Sequence, residues 1–344
     1  MRSSMTSAYS EPNAYQTAMR MEGVVDFTVT RNGRFQARLT QVGLECLRVF
    51  AVKESIPRIA FIKIPQDQIL ISTSLSGGSS QHWGGARAQA ENLITLGPGA
   101  RVHTRTEGPS HWGAVWFPIK DFARYSQALT GKTLVIPDFV CLWRPPGPAS
   151  RLFRHILTDV MRAAQMLPDV LTATEAAHGL DQQLIHALIE CLSSPPMNGD
   201  IPMRRRRQAL MIRFEKLVAA DLSGYTRIAT ISKALGVSDR FLRRCCDEQL
   251  GMNPLSYLKL RRLHEAHGTL KYANPEALSV SEAARRSGFR HLGRFAADYR
   301  DLFGETPSVT LRQKPDQAMP ELAQSTRKRR LTLQAPVEID QCGA

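Results

Sequence analysis

The 344-residue sequence predicts a multidomain α+β protein, in which a β-rich N-terminal domain followed by helices precedes an all-α C-terminal domain. Three observations predict this fold class. Short apolar runs separated by glycine and proline fill the chain from Val24 to about Phe117, a pattern typical of a sandwich or a small barrel. Apolar residues then recur at helical spacing after Trp143. Finally, one short pattern built around a glycine occurs twice, at Gly236 and at Gly288.

The N-terminal segment is polar and lacks the apolar stretch of a secretory signal, so we expect residues 1–22 to be disordered. Nowhere in the chain do about 18 apolar residues follow one another, so no membrane span is predicted. The six cysteines are scattered and form no CxxC pair, which favours a reducing, cytoplasmic setting.

A series of short β-strands is predicted for the first part of the chain. Apolar runs bounded by turn residues mark four of them, at residues 24–30, 46–52, 59–64 and 68–73. Glycine-containing sequences predict the turns between such strands, at Gly77-Gly78, Gly84-Gly85 and Gly97-Pro98-Gly99.

Two amphipathic helices are predicted after the strands, because apolar residues occur at spacings of three and four in residues 152–161 and again in 184–192. Their apolar faces have two interpretations that the sequence favours equally. They either pack into the core of the monomer, or form an antiparallel pair or a dimer face. The stretch Ser193–Pro202 is rich in proline and small polar residues and predicts a linker, which we place at residues 194–203.

The repeated pattern predicts two helix-turn-helix units, because each copy reads as a short helix, a turn containing glycine and a second amphipathic helix. Gly236 and Gly288 are 52 residues apart, whereas Gly251 and Gly304 are 53 apart, so the second turn contains one extra residue. Between the copies, Pro254–Lys271 reads as a single helix. A helix of this length would hold the two units about one DNA turn apart on one face of the duplex.

The second helix of the first unit has one apolar face and one basic face. The apolar face carries a residue at every fourth position, namely Leu242, Cys246 and Leu250. Ser238 is placed to cap the helix. We predict DNA contacts by Ser238 and by the arginines of the basic face, Arg240, Arg243 and Arg244, since an arginine can hold guanine with two hydrogen bonds. The alternative is a solvated basic face, and for Arg244 a phosphate contact fits equally well.

The corresponding helix of the second unit has an aromatic inner face, which consists of Phe289, Phe295, Tyr299 and Phe303. Its exposed N-terminal turn is the part of a recognition helix that reaches base edges. We predict that Arg290, His291 and Arg294 contact DNA there. Gly293 contributes no side chain to this surface, and His291 has no partner at a metal-ligand spacing.

Positive charge is concentrated in the segment that carries the repeats. Residues 204–313 contain 21 lysines and arginines against 11 acidic residues, a net charge of +10, whereas residues 1–203 carry only +3. A generally basic protein would spread its charge evenly, so this distribution indicates a domain that binds a polyanion.

Together these residues resemble the DNA-binding domain of AraC/XylS-type bacterial transcription regulators. The resemblance covers residues 204–313 and rests on five sequences: Gly236-x-Ser238-x-x-x-Leu242-Arg243-Arg244, Gly251-x-x-Pro254, Arg261-Arg262-Leu263 in the connecting helix, Ser287-Gly288-Phe289 and the stretch from Tyr299 to Ser308. It implies that both recognition helices contact double-stranded DNA, that the N-terminal part senses a ligand or dimerises, and that the protein activates transcription through RNA polymerase. The chain departs from the family at Cys246, where a large apolar residue is usual, and at Gly293, where a polar residue is common.

The β-rich region weakly resembles the cupin-like sensor domains attached to such regulators. A cupin metal site takes two histidines at HxH spacing, but here Arg105 stands where the second histidine would follow His103, so we expect neither a metal nor a cofactor. A candidate aromatic pocket for an organic ligand consists of His82, Trp83, His103, Trp112 and Trp116. Ordinary core or turn packing is the alternative for these residues.

These interpretations combine into a ligand-responsive regulator with five segments. We expect disorder in 1–22, a sensing and oligomerisation domain with two C-terminal helices in 23–193, a linker in 194–203, a DNA-binding domain in 204–313 and a disordered tail in 314–344. The expected partners are double-stranded DNA, RNA polymerase, an unidentified small molecule and a second copy in a homodimer. No nucleophile–base pair, phosphate loop or dinucleotide fingerprint is present, so no enzyme is expected. Two rival functions are a cupin-type metal enzyme with an accessory DNA-binding domain and an architectural DNA binder without a ligand.

Overall fold

The computed structural model describes residues 3–76, 80–167, 171, 173–197, 201–220 and 227–313. Over these ranges the chain forms a β-rich N-terminal domain followed by helices and then an α-helical domain, which confirms the predicted fold class. The predicted Gly77-Gly78 turn and the predicted disordered tail, residues 314–344, lie outside the described residues.

The strands of the N-terminal domain form two antiparallel sheets. In chain order they are β1 (Ser3–Tyr9), β2 (Val24–Val29), β3 (Ala37–Gly43), β4 (Arg48–Glu54), β5 (Arg58–Lys63), β6 (Gln68–Ser74), β7 (Gln81–Trp83), β8 (Ala86–Ala88), β9 (Leu93–Leu96), β10 (Arg101–Thr106), β11 (Ser110–Pro118) and β12 (Cys141–Trp143). The larger sheet has the order β1-β3-β4-β11-β6-β9-β12, and the smaller one β2-β5-β10-β7-β8. All four strands predicted from apolar runs are present, with bounds shifted by at most two residues.

Among the described residues, the helices follow the last strand except for the first two. Their bounds are α1 (Pro12–Met19), α2 (Ile119–Thr130), α3 (Gly147–Met166), α4 (Thr174–Leu192), α5 (Ile201–Ala220), α6 (Ile228–Leu235), α7 (Asp239–Leu250), α8 (Pro254–Lys271), α9 (Val280–Arg286), α10 (Leu292–Phe303) and α11 (Pro307–Arg312). None of the described helices is long and apolar enough to cross a bilayer.

The N-terminal domain has three layers, because the larger sheet buries apolar residues on both faces. One face packs against the smaller sheet, for example through Phe50 and Val52 against Ile62. The alternate residues of the same strands, such as Val49 and Ala51, pack against α3 and α4. Most apolar side chains of these two helices are therefore covered within the monomer, as in the core-packing alternative for residues 152–161 and 184–192, whereas Leu152 is 48% exposed.

The expectation of disorder in residues 1–22 is wrong for the part that the structure describes. Strand β1 pairs with β3 along its whole length, from Ser3 opposite Gly43 to Tyr9 opposite Ala37. In the following helix α1, Tyr15 is fully buried, and its hydroxyl donates a hydrogen bond to Glu54 Oε1 (2.9 Å). A polar segment is thus ordered by strand pairing and one aromatic anchor, neither of which depends on a long apolar run.

The linker is also shorter than predicted. Helix α5 begins at Ile201, inside the segment 194–203 that we assigned to the linker. The four consecutive arginines from Arg204 to Arg207 therefore lie within the first two turns of a helix. Their high helix propensity is consistent with this position.

Candidate nucleic-acid interface

The first helix-turn-helix unit consists of α6, a tight turn and α7. Gly236 ends α6 with φ of +65°, a left-handed conformation that a residue with a Cβ adopts only at a cost. The Val237 amide closes the turn by donating to the Ser232 carbonyl at 3.0 Å. Ser238 then caps α7, as predicted, because its hydroxyl accepts a hydrogen bond from the Phe241 amide at 3.2 Å.

The inner face of α7 is buried as the spacing predicts. Leu242, Cys246 and Leu250 are at most 1% exposed, and they pack against α5, α6 and α8. Cys246 thus occupies the position of the expected large apolar residue without leaving its thiol accessible. Burial, together with nearby Cys245 and Glu215, raises the pKa of the Cys246 thiol above its usual range, so the group stays neutral.

The outer face of α7 presents the three predicted arginines to solvent. Arg244 is held along the helix, because its Nε contacts Glu248 Oε1 at 2.9 Å, and Glu248 also pairs with Arg207. Arg240 and Arg243, by contrast, form no ion pair with any other described residue. These two guanidinium groups are therefore free to contact a polyanion.

The second unit repeats this arrangement with α9 and α10. Ser279 caps α9 by accepting a hydrogen bond from the Glu282 amide (3.2 Å), and Gly288 makes the turn with φ of +82°. Helix α10 begins only at Leu292, so Arg290 and His291 precede it while Arg294 lies in its first turn. All three predicted contact residues are exposed, and within the described chain none of them has an ion-pair partner.

Helix α10 has a buried aromatic inner face and an open outer face. On the inner face Phe295 and Tyr299 are at most 1% exposed, whereas Phe289 and Phe303 are only partly buried at the edge of the same cluster. On the outer face, a Cβ added to Gly293 would meet no atom within 4 Å. The position is therefore open, and its glycine is not required by packing.

Helix α8 joins the two units and has the bounds Pro254–Lys271 that the sequence predicts. Its N-terminal half contributes Tyr257 and Leu258 to the core of the first unit, and its C-terminal half contributes Leu263 and Leu270 to the core of the second. Lys259 Nζ also contacts Asp298 Oδ1 of α10 at 3.0 Å. Both recognition helices are consequently packed on one continuous helix.

Comparisons with known proteins single out the same segment. A family model described as a helix-turn-helix domain matches residues 231–313. A probable thc operon regulatory protein of Rhodococcus erythropolis is 40% identical over 88 residues, which cover 26% of this chain and 26% of that protein. A XylDLEGF operon transcriptional activator of Pseudomonas putida is 33% identical over 101 residues, covering 29% of this chain and 32% of the relative. The C-terminal domain is similar to those of AraC/XylS-type regulators.

The matched segment spans about a quarter to a third of the length of these relatives. Among solved structures, the AraC-like transcriptional activator CuxR is 16% identical with a TM-score of 0.42, covering 78% of this chain and 96% of that one. A probable AraC family transcriptional regulator from Rhodopseudomonas palustris is 33% identical with a TM-score of 0.28, covering 30% of this chain and 94% of that one.

The AraC/XylS-type domain is joined to the N-terminal domain by a buried polar cluster, which sequence reasoning missed. Glu215 of α5 accepts a hydrogen bond from the Tyr257 hydroxyl (2.6 Å) and contacts His103 Nε2 (2.7 Å) and Arg261 Nη1 (3.2 Å). Arg261 also contacts Asp26 of β2 at 2.9 Å. Burial acts to raise the pKa of Glu215, but His103, Arg261 and Tyr257 outweigh it and lower that pKa to about 2. The carboxylate is therefore ionised and ties α5 and α8 to two strands of the other domain.

Further contacts extend the domain interface along α8. His264 Nε2 lies 2.9 Å from the Val29 carbonyl, and Lys271 pairs with Glu11. Ile59 of β5 is buried in the core of the first helix-turn-helix unit. The sequence contained one signal for this surface, because Glu215 interrupts the apolar face of α5 between Met211 and Val218.

The residues of the predicted aromatic pocket are distributed between the core and this interface. Trp83, Trp112 and Trp116 are each 1% exposed and belong to the core between the two sheets, where Trp83 and Trp112 meet edge to face at 5.9 Å. His103 is fully buried against Glu215. His82 Nε2 contacts Glu107 at 3.0 Å, while burial and the adjacent Arg105 lower the pKa of His82. All five residues pack against neighbouring protein groups, but the buried His103 Nδ1 has no hydrogen-bond partner among the described residues.

Over the part of the chain that the structure describes, no three side chains of histidine, cysteine, aspartate or glutamate lie together in a way that could hold a metal ion. Arg105, which occupies the second position of the HxH spacing, contacts Glu107 at 2.9 Å instead.

Proposed function

We propose that this protein is a transcription regulator that binds specific DNA through α7 and α10. The observation that carries the proposal is a set of exposed cations on α7 and around the start of α10 that form no ion pair with any described residue, namely Arg240, Arg243, Arg290 and Arg294. Because α8 holds the two helices on one frame, a single monomer reads two successive major-groove segments. His291, Ser238 and Arg244 contribute contacts at the margins, with Arg244 directed to phosphate.

Regulation by a small molecule is the second part of the proposal. The N-terminal domain senses an effector and mediates dimerisation, and the polar cluster around Glu215 carries the response to the AraC/XylS-type domain. The relative described as an operon transcriptional activator supports activation of transcription as the outcome. RNA polymerase is the partner that we propose for this step. The described geometry offers no constellation that favours an enzyme.

Hydroxyl-radical footprinting of the full chain on genomic fragments tests the DNA-binding part. We expect protection of two segments about one turn apart on one face of the duplex. Replacing Arg243 with alanine should weaken specific binding by about 1–3 kcal/mol and relax the preference at one base position. The matched control is Arg312→Ala, which removes the same charge from the exposed surface of α11 and should leave base preference unchanged.

Two results would contradict this assignment. Protection of a single groove segment would mean that only one unit reads DNA. Equal affinity for all sequences, with the same loss in Arg243→Ala and Arg312→Ala, would favour an architectural DNA binder that uses charge alone.

A further inference from the structure

Three basic side chains stand side by side on the helix-facing surface of the larger sheet. Arg38 of β3 lies directly opposite Lys53 of β4, and Lys53 lies directly opposite His111 of β11. The neighbouring residues Ala51 and Val115 on the same surface pack against α3 and α4, which identifies the face. We call Arg38, Lys53 and His111 the basic row.

The basic row lowers the stability of the folded protein when no anion is bound. Like charges on directly opposite residues of an antiparallel pair destabilise the sheet. Within the described chain, the side chains of Arg38 and Lys53 have neither an ion pair nor a hydrogen bond, and burial together with Lys53 lowers the pKa of His111. A third cation, Arg162 of α3, faces the same space, although it also lies 3.6 Å from Asp159.

The basic row borders a cavity of about 270 Å³ between the sheet and α3. Its walls also include Arg162, the apolar side chains of Leu75 and Met161, and the polar side chains of Thr158 and Gln165. Leu75 is partly buried and Met161 is buried, so the cavity has a cationic side and an apolar side. Its volume of about 270 Å³ is just below the range for small-molecule sites, which begins at roughly 300 Å³, so the cavity suits only a small ligand.

We propose that this cavity binds a small organic anion, with its carboxylate or phosphate on Arg38, Lys53 and Arg162 and its carbon skeleton against Leu75 and Met161. Charge-assisted hydrogen bonds from Arg38 and Lys53 would replace the repulsion within the row by attraction. A polymer such as DNA does not fit a space of this size between a sheet and a helix. The assignment of this anion as the effector rests on the proposed function, whereas the binding itself does not.

The basic row predicts an unusual pair of effects for one substitution. In Lys53→Met the central charge is removed while the length of the side chain is kept. Repulsion within the row falls, so the Tm of the ligand-free protein should rise by about 1–3 °C. Binding of anions should weaken at least tenfold, because the central cation is lost. A gain in stability with a loss of binding cannot come from misfolding.

The experiment measures Tm of the full chain with sodium hexanoate, with inorganic phosphate and with hexan-1-ol as the uncharged counterpart of hexanoate. The matched control is Lys63→Met, the same change at an exposed lysine of β5 outside the cavity. We expect hexanoate or phosphate to raise Tm in the wild type and in Lys63→Met, and to have no effect in Lys53→Met. Hexan-1-ol should have no effect in any of the three.

Equal responses of Lys53→Met and Lys63→Met to both anions, or no response of the wild type to either, would overturn the site. DNA footprinting on the same samples separates the two proposals. Specific DNA binding without the lysine-dependent response removes the anion site and leaves the regulator intact. A Tm response that depends on Lys53, in a protein without specific DNA binding, would leave the anion site in place. It would rule out the role of that site as the effector site of a regulator.

Discussion

Glu215 connects residues that are far apart in sequence. Its carboxylate contacts His103, 112 positions earlier, and Arg261, 46 positions later. An ionised carboxylate is costly to bury unless cations and hydrogen-bond donors surround it, and here the histidine comes from one domain and the arginine from the other. The cost of burying the Glu215 carboxylate is therefore offset only while the two domains are in contact.

We predict that Glu215→Gln lowers the free energy of unfolding of the full chain by about 3 kcal/mol, because the buried Arg261 loses a counter-charge and His103 loses its carboxylate partner. Chemical denaturation measures the change. The control is Glu282→Gln, which removes the exposed pair with Arg286 on α9 and should cost no more than about 0.5 kcal/mol. Similar costs for the two variants would show that the cluster does not stabilise the interface.

Local interactions made many single residues predictable. Ser238 was recognised as a cap because a cap bonds to an amide only three residues away. The inward direction of Leu242 and Cys246 followed from helical periodicity. The partners of Glu215 could not be predicted, since they depend on how two domains pack, and no local pattern in the sequence encodes that packing.

Helix α10 contains a glycine that its environment does not require. Gly293 lies in the first turn, it has no positive φ, and a Cβ there would meet open space. Gly288 in the preceding turn is the opposite case, because its φ of +82° is strained for any other residue.

We therefore predict opposite effects for two similar substitutions. Gly293→Ala should stabilise the protein by about 0.5 kcal/mol, because alanine restricts the unfolded chain without a clash. Gly288→Ala should destabilise it by about 1 kcal/mol or more, because the turn needs a left-handed residue. Thermal unfolding of the two variants is the measurement, and a loss of stability in Gly293→Ala would contradict the open environment of α10.

Among the helices and strands, the sequence predicts the bounds of segments with a clear apolar periodicity. It does not predict segments whose structure depends on pairing with a distant strand. Helix α8 has the predicted bounds because its apolar positions recur along its whole length. The sequence does not predict strand β1, because four of its seven residues are serine or threonine. Its order comes from pairing with β3, whose residues lie far along the chain, for example Gly43 opposite Ser3. The start of α5 at Ile201 was missed because Pro202 was read as part of a linker, although proline is well tolerated in a first helical turn.

For the molecule as a whole, two histidines of α8 make stability depend on pH. Burial is the main cause that lowers the pKa of His264 to about 4 and that of His267 to about 3. The unfolded chain therefore takes up these protons first, near the ordinary histidine pKa of about 6.5. The stabilising contribution is complete above that pH and is lost progressively as the pH falls towards 4.

We predict that Tm falls between pH 6.5 and pH 4, with each histidine contributing about 1.4 kcal/mol per pH unit. His264→Gln keeps a donor for the Val29 carbonyl but does not titrate, so it should reduce this slope. The matched control, His155→Gln, changes a histidine on the exposed surface of α3. An identical slope in wild type and His264→Gln would contradict the buried, neutral state of His264.

The division into domains leads to a prediction for a fragment. We expect residues 201–313 to fold and to bind the specific DNA of the full chain, with an affinity that falls steeply as salt rises, because phosphate contacts release counterions. Its Tm should be lower than that of the full chain, since Ile59 and His103 no longer cover α5. DNA titrations at several salt concentrations measure this. A fragment whose DNA binding still responds to hexanoate would place the sensor in the wrong domain.

Helix α8 fixes the distance between the two helix-turn-helix units. Its 18 residues rise by about 27 Å, and its two halves are built into two different hydrophobic cores. Each base pair inserted between two binding segments turns one segment by about 34° around the duplex, because B-DNA has about 10.5 base pairs per turn. A rigid rod cannot follow that rotation. For a regulator of this design, the number of base pairs between the two segments of an operator therefore determines recognition as much as the bases in those segments do.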